Sequence, residues 1–98
     1  MYVVRDTFQL KFGHYKDVKA LFDQVIANKM FPDVNAVRCF TDFTGGAYRF
    51  ILEQSFSSLA EYEKSLTSDF AKDEWQKWYG NFKEHVEGSS REILKQVI

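Results

Sequence analysis

An α+β domain is the fold class the sequence predicts, and three observations predict it. Val37–Phe56 reads as a β-hairpin, with Val37–Phe43 and Ala47–Glu53 as arms around Thr44-Gly45-Gly46. Segments of strand period and helix period alternate on either side of it. Both arms carry apolar residues at both parities, Phe40 against Cys39 and Phe43, Phe50 and Leu52 against Ile51. A sheet built from them has two faces to cover.

The first element is a strand within Tyr2–Phe12. Phe8, Leu10 and Phe12 alternate with Thr7, Gln9 and Lys11, the pattern of a strand with one buried face. Gly13 ends it. A helix follows, because Tyr15, Val18, Leu21, Phe22, Val25 and Ile26 recur at helical spacing while Lys16, Asp17, Lys19, Asp23 and Gln24 take the other side. It stops near Asn28, since Pro32 lacks the N–H that a helix interior needs.

After the hairpin, Ser58-Leu59-Ala60-Glu61 has capping-box spacing and starts a short helix striped by Leu59, Tyr62 and Leu66. Thr67-Ser68-Asp69 reads as a second helix start, because Ser and Asp oxygens accept from free N–H groups. The helix beyond it carries Trp75, Trp78, Tyr79 and Phe82 on one face, with Val86 a turn further. Gly88-Ser89-Ser90 punctuates, and Arg91–Ile98 closes the chain as a strand. The order is therefore βαββαβ with a split second helix. Right-handed crossovers fold it into a four-stranded antiparallel sheet with its helices on one face, the ferredoxin-like arrangement. The uncovered apolar face calls for a partner, most simply a second copy in a two-fold homodimer.

Composition bounds the function. The 98 residues form a single domain, 1–98, and 45% hydrophobic with 17% aromatic content excludes a disordered chain. Thirteen Lys and Arg against fourteen Asp and Glu give a net charge of −1, which offers no electrostatic pull on nucleic acid or anionic membrane. Tyr48 and Phe50 after a glycine resemble the stacking aromatics of an RNA-recognition motif, but no Lys/Arg cluster accompanies them. Cys39 is the single cysteine, so no intrachain disulfide forms, and in a strand it reads as a small buried hydrophobe. Charges at Arg5 and Asp6 replace the apolar stretch of a signal peptide, and no run is long enough to span a membrane. A cytoplasmic location is expected.

Four stretches carry a family resemblance: Leu10-Lys11-Phe12-Gly13, Ser58-Leu59-Ala60-Glu61-Tyr62-Glu63, Trp75-Gln76-Lys77-Trp78 and Gly88-Ser89-Ser90-Arg91-Glu92-Ile93. On these the chain resembles the NIPSNAP-like proteins of the dimeric α+β barrel superfamily, relatives of the antibiotic-biosynthesis monooxygenases. Phe12 departs from the pattern, in which Pro often precedes the Gly. The resemblance implies a homodimer whose sheets pack into a barrel, with a small-molecule cavity in each subunit. It carries over no catalytic residue set and no cofactor.

The candidate ligand-binding residues are Trp75, Trp78 and Tyr79 as an aromatic wall, with Arg5, Tyr48 and Arg49 as polar anchors. Core packing explains the same aromatics. Arg5, Arg38 and Arg49 in strands also suit ion pairs, with Glu53, Asp6 and Asp42 as partners. His14 and His85 lie far apart in sequence with no ligand-bearing neighbour, so no metal site is expected. No Ser-His-Asp set, phosphate loop or dinucleotide fingerprint is present. The expected function is a NIPSNAP-like homodimeric domain that binds a small aromatic or apolar molecule. The alternative is a cofactor-independent monooxygenase-like enzyme acting on an aromatic metabolite.

Overall fold

The computed structural model describes residues 1–28, 30, 36–68 and 73–98. Its elements are β1 (Tyr2–Leu10), α1 (Tyr15–Ala27), β2 (Val37–Thr41), β3 (Arg49–Phe56), α2 (Leu59–Ser68), α3 (Asp73–Lys83) and β4 (Val86–Lys95). The four strands form one antiparallel sheet in the order β2-β3-β1-β4. This is the predicted ferredoxin-like α+β arrangement, with the second helix in two pieces. Among the described residues, no helix is long and apolar enough to cross a membrane.

In β1 the even positions face the helices: Val4, Asp6 and Leu10 are buried, and Phe8 packs on the core. Phe8 stands opposite Phe50 and Asp6 opposite Leu52, so β3 presents its buried residues to the same side. Phe12 falls beyond the strand and is 85% exposed, its ring 4.9 Å from that of Tyr48. Gly13 then turns the chain at φ +80°, where a side chain would cost about 1 kcal/mol. α1 buries Val18, Phe22 and Val25, one stripe of the predicted helix. It ends at Asn28, whose N–H donates to the Gln24 carbonyl at 2.9 Å. The expected terminator, Pro32, lies outside the described residues.

The hairpin differs from the sequence expectation. β2 stops at Thr41 and β3 begins at Arg49, leaving a wide loop instead of a tight glycine turn. The Asp42 carboxylate closes it, accepting from the Arg49 backbone N–H at 3.1 Å, Nε at 3.0 Å and Nη2 at 2.7 Å. The forked, charge-assisted contact closes the loop across the strand ends. The same hydrogen bonds hold the Asp42 carboxyl below the usual carboxylate range. Positive φ falls at Gly45 (113°) and at Tyr48 (60°), a position the glycine pattern did not indicate.

At the start of α2 the Ser58 hydroxyl accepts from the Glu61 N–H at 3.2 Å, the expected cap. Thr67 and Ser68 end α2 instead of starting a new helix, and Asp69 lies outside the described residues. α3 opens with Asp73 and Glu74, whose charges suit the positive end of the helix dipole. Trp78 and Phe82 are buried, and the Trp78 Nε1–H donates to the Leu21 carbonyl at 2.7 Å, tying α3 to α1. Phe22 stacks on Phe50 at 4.6 Å between centroids, and Phe82 meets Phe8 edge-on at 4.8 Å.

β4 also departs from expectation. It begins at Val86, not Arg91, and Gly88-Ser89-Ser90 lies within it, paired with Gln9, Phe8 and Thr7 of β1. Backbone hydrogen bonds carry this stretch as a strand, and a small Ser89 opposite Phe8 leaves space above the sheet. Cys39, on the edge strand β2, is exposed instead of buried. Crowding at its sulfur still desolvates the thiol and pushes its pKa up to about 11, with Lys19 pulling the other way.

The face turned away from the helices is not the apolar surface that parity counting suggested. Arg5 Nε meets Glu53 Oε2 at 2.9 Å, Arg38 Nη2 meets Glu53 Oε1 at 3.5 Å, and Arg5 Nη1 meets Glu92 Oε1 at 3.2 Å. Val3, Phe40, Ile51 and Leu94 share that face by register. Charge pairs therefore interrupt its apolar area.

Candidate functional site

Between α2, α3 and the helix side of the sheet lies a cavity of about 480 Å³. Its walls are aromatic because α1, α3 and β1 turn their largest side chains inward: Phe8, Phe22, Trp75, Trp78, Tyr79 and Phe82 all line it. Trp75 stacks on Trp78 at 5.1 Å, and Trp78 stacks on Phe82 at 5.1 Å, giving a continuous ring surface. Tyr79 is 51% exposed, a partly open position on the lining.

One polar chain reaches this wall. The Arg91 Nε donates to Asp6 Oδ1 at 2.6 Å, and Arg91 Nη1 donates to the Tyr62 hydroxyl at 2.8 Å. All three side chains line the cavity. Asp6 is 6% exposed and is the single buried ionisable residue among those described. Its strand partner Arg91 answers that burial: the two stand opposite one another in register on the helix side. The hydrogen bond to Asp6, opposed by burial, raises the Arg91 guanidinium above its ordinary value. A fixed cation, a phenol and a carboxylate thus sit beside stacked rings, an arrangement suited to a flat molecule with a polar edge.

Of the predicted site residues, the structure brings Trp75, Trp78 and Tyr79 to the cavity. It does not bring Arg5, Tyr48 or Arg49 there. Arg5 lies on the opposite face of the sheet in its ion pairs with Glu53 and Glu92. Arg49 is held by Asp42, and the Tyr48 ring sits against Phe12. Asp6, Tyr62 and Arg91, which line the cavity, are not among the residues the sequence singled out as anchors. A signal existed for Asp6: it shares the parity of Phe8 and Leu10, which places a carboxylate on a buried face.

The histidines, remote in sequence, come together. His14 Nδ1 and His85 Nδ1 are 2.8 Å apart, and Asp17 Oδ2 lies 4.0 Å from His85 Nδ1. Among the described residues, these three could hold a metal ion, and none of them lines the cavity.

No protein-family model and no curated protein matches the chain. Solved structures do. A NIPSNAP family protein of unknown function from Agrobacterium tumefaciens superposes with a TM-score of 0.87 at 16% identity, over 98% of this chain and 87% of that one. The fold is that of the NIPSNAP proteins. An uncharacterised NIPSNAP-like domain protein from Burkholderia xenovorans gives 0.87 at 14% identity, over 98% of this chain and 84% of that one. An antibiotic biosynthesis monooxygenase gives 0.73 at 13% identity, with both chains fully covered. The NIPSNAP-type fold is therefore shared across almost the whole chain, as the resemblance in the sequence implied.

Proposed function

We propose that this NIPSNAP-type domain binds a small aromatic or apolar molecule in the cavity between α2, α3 and the sheet. The observation that carries this reading is the aromatic cavity of about 480 Å³ with the Asp6–Arg91–Tyr62 chain on its wall. Small-molecule sites commonly measure about 300–1,000 Å³ and combine apolar walls with a few fixed polar groups. A planar ring stacks against Trp75 and Trp78, and a hydroxyl or carbonyl on its edge meets Arg91 or Tyr62.

Both tryptophans of the chain line the cavity, so their fluorescence reports occupancy directly. Titration with quinols, anthrones and flavonoids should quench it saturably and raise the melting temperature in parallel. If none of these compounds moves either signal, the reading fails.

The domain acts as a homodimer in this reading. Its support is the sheet face left uncovered by helices, where Val3, Phe40, Ile51 and Leu94 accompany the ion pairs. Light scattering after size exclusion that returned the 11.5 kDa monomer mass at micromolar concentration would contradict it. A single cysteine without a disulfide partner suits a cytoplasmic location.

A cofactor-independent oxygenase is the second reading, motivated by the monooxygenase that shares the fold. Asp6 is already engaged by Arg91, and no other buried ionisable residue among those described faces the cavity. Binding without chemistry is therefore preferred. Oxygen uptake with a quinol substrate would reverse that preference.

A further inference from the structure

The paired histidines have no part in the cavity, and their placement is unusually well fixed by backbone. His14 precedes α1 on the turn that Gly13 allows, and its N–H donates to the Lys11 carbonyl at 3.1 Å. His85 follows α3, its N–H donating to the Phe82 carbonyl at 3.0 Å while its own carbonyl accepts from the Lys11 N–H at 2.9 Å. Lys11 thus clasps both turns, and the two rings meet at Nδ1. Asp17 stands one helical turn beyond His14 and presents its carboxylate to the same place. The ligand atoms of all three lie within 4.8 Å of one another.

We infer that His14, Asp17 and His85 form a binding site for a divalent transition-metal ion, zinc by its donor set. Two imidazole nitrogens and one carboxylate oxygen make a borderline-soft set of the kind zinc takes, with water as fourth ligand. Tetrahedral zinc with bonds of about 2.0–2.1 Å needs donor atoms about 3.3 Å apart. The Nδ1 pair at 2.8 Å has to open slightly, and Asp17 Oδ2 at 4.0 Å has to move in. Asp17 is 61% exposed, so its side chain is free to swing. Both rings bind through Nδ1, which leaves each Nε2–H outward for a second partner. The ion crosslinks the β1–α1 turn to the α3–β4 turn and keeps one coordination position for solvent.

Without an ion, the short contact is explained by two neutral imidazoles sharing one proton, Nδ1–H donating to Nδ1. Zinc titration of tag-free protein by calorimetry separates the two accounts. Expected are one zinc per chain, tetrahedral absorption bands when cobalt(II) replaces it, and a raised melting temperature. His14→Gln and His85→Gln should each weaken binding by about tenfold or more, since each removes a first-sphere bond. Asp17→Asn is the control against misfolding: the side chain is exposed, so the variant folds while its zinc affinity falls. Cys39→Ser should leave binding unchanged. Absence of zinc binding, binding that survives in the His14→Gln/His85→Gln double variant, or binding lost with Cys39→Ser would each overturn the assignment.

Discussion

Replacing Arg91 with methionine probes the polar wall of the cavity, and its size can be worked from the structure. Met keeps an unbranched apolar stem but removes the guanidinium, the partner of Asp6, a residue only 6% exposed. Breaking a fully buried pair by deleting one ion costs about 3–5 kcal/mol, whereas an exposed pair is worth about 0–1 kcal/mol. Here one partner is buried and the Arg91 side chain is 51% exposed, so solvent screens part of the interaction. The expected loss is intermediate, about 2 kcal/mol, or about 8–16 °C in Tm for a domain of this size. Urea unfolding of Arg91→Met, Asp6→Asn and the double variant gives the coupling. The double variant should lose less than the sum of the singles by about 1–2 kcal/mol, because the buried charge has gone with its partner. An Arg91→Met protein within about 0.5 kcal/mol of the unaltered one, or strict additivity in the cycle, would refute the account of Asp6 as a paired buried charge.

Two further outcomes follow from contacts described above. Trp78→Phe loses the 2.7 Å hydrogen bond to Leu21 and part of the stacked wall, and should cost about 2 kcal/mol by urea unfolding; a loss under about 0.5 kcal/mol would show that the indole is not anchored. Glu53→Gln leaves Arg5 and Arg38 without their shared carboxylate and should cost about 1 kcal/mol at low salt, shrinking as salt is added. A salt-independent loss would mean that packing, not charge, holds that face.

The elements that were legible in the sequence are those whose pattern is local. The spacing of Val18, Phe22 and Val25 and the alternation of Phe8, Leu10 and Phe12 each describe one face; the structure buries Val18, Phe22, Val25 and Leu10, half-buries Phe8 and leaves Phe12, beyond the strand end, exposed. Boundaries set by a distant partner were not legible. The width of the hairpin loop depends on Asp42 reaching Arg49, which a count of glycines does not see. β4 extends through Gly88-Ser89-Ser90 because β1 supplies its ladder, although the residues alone read as a break. The site divides in the same way. Trp75, Trp78 and Tyr79 lie close together on one helix and could be read, whereas Asp6, Tyr62 and Arg91 come from three elements. His14 and His85 are separated by most of the chain and meet where the β1–β4 ladder and the backbone of Lys11 hold two turns together.

The position of β1 inside the sheet, between β3 and β4, has a kinetic consequence. Its two ladders join residues far apart in the chain, Tyr2 with Phe56 on one side and with Lys95 on the other. Closing such distant contacts means surrendering loop entropy before the contacts repay it, which slows folding relative to helical domains of equal length. Until β4 docks, β1 is an unprotected edge with Asp6 still lacking its arginine, and the aromatic wall has no floor. Synthesis runs from the N-terminus, so the first strand made is among the last to be completed. A chain in which β4 has not yet docked would offer an open strand edge, where aggregation competes with folding.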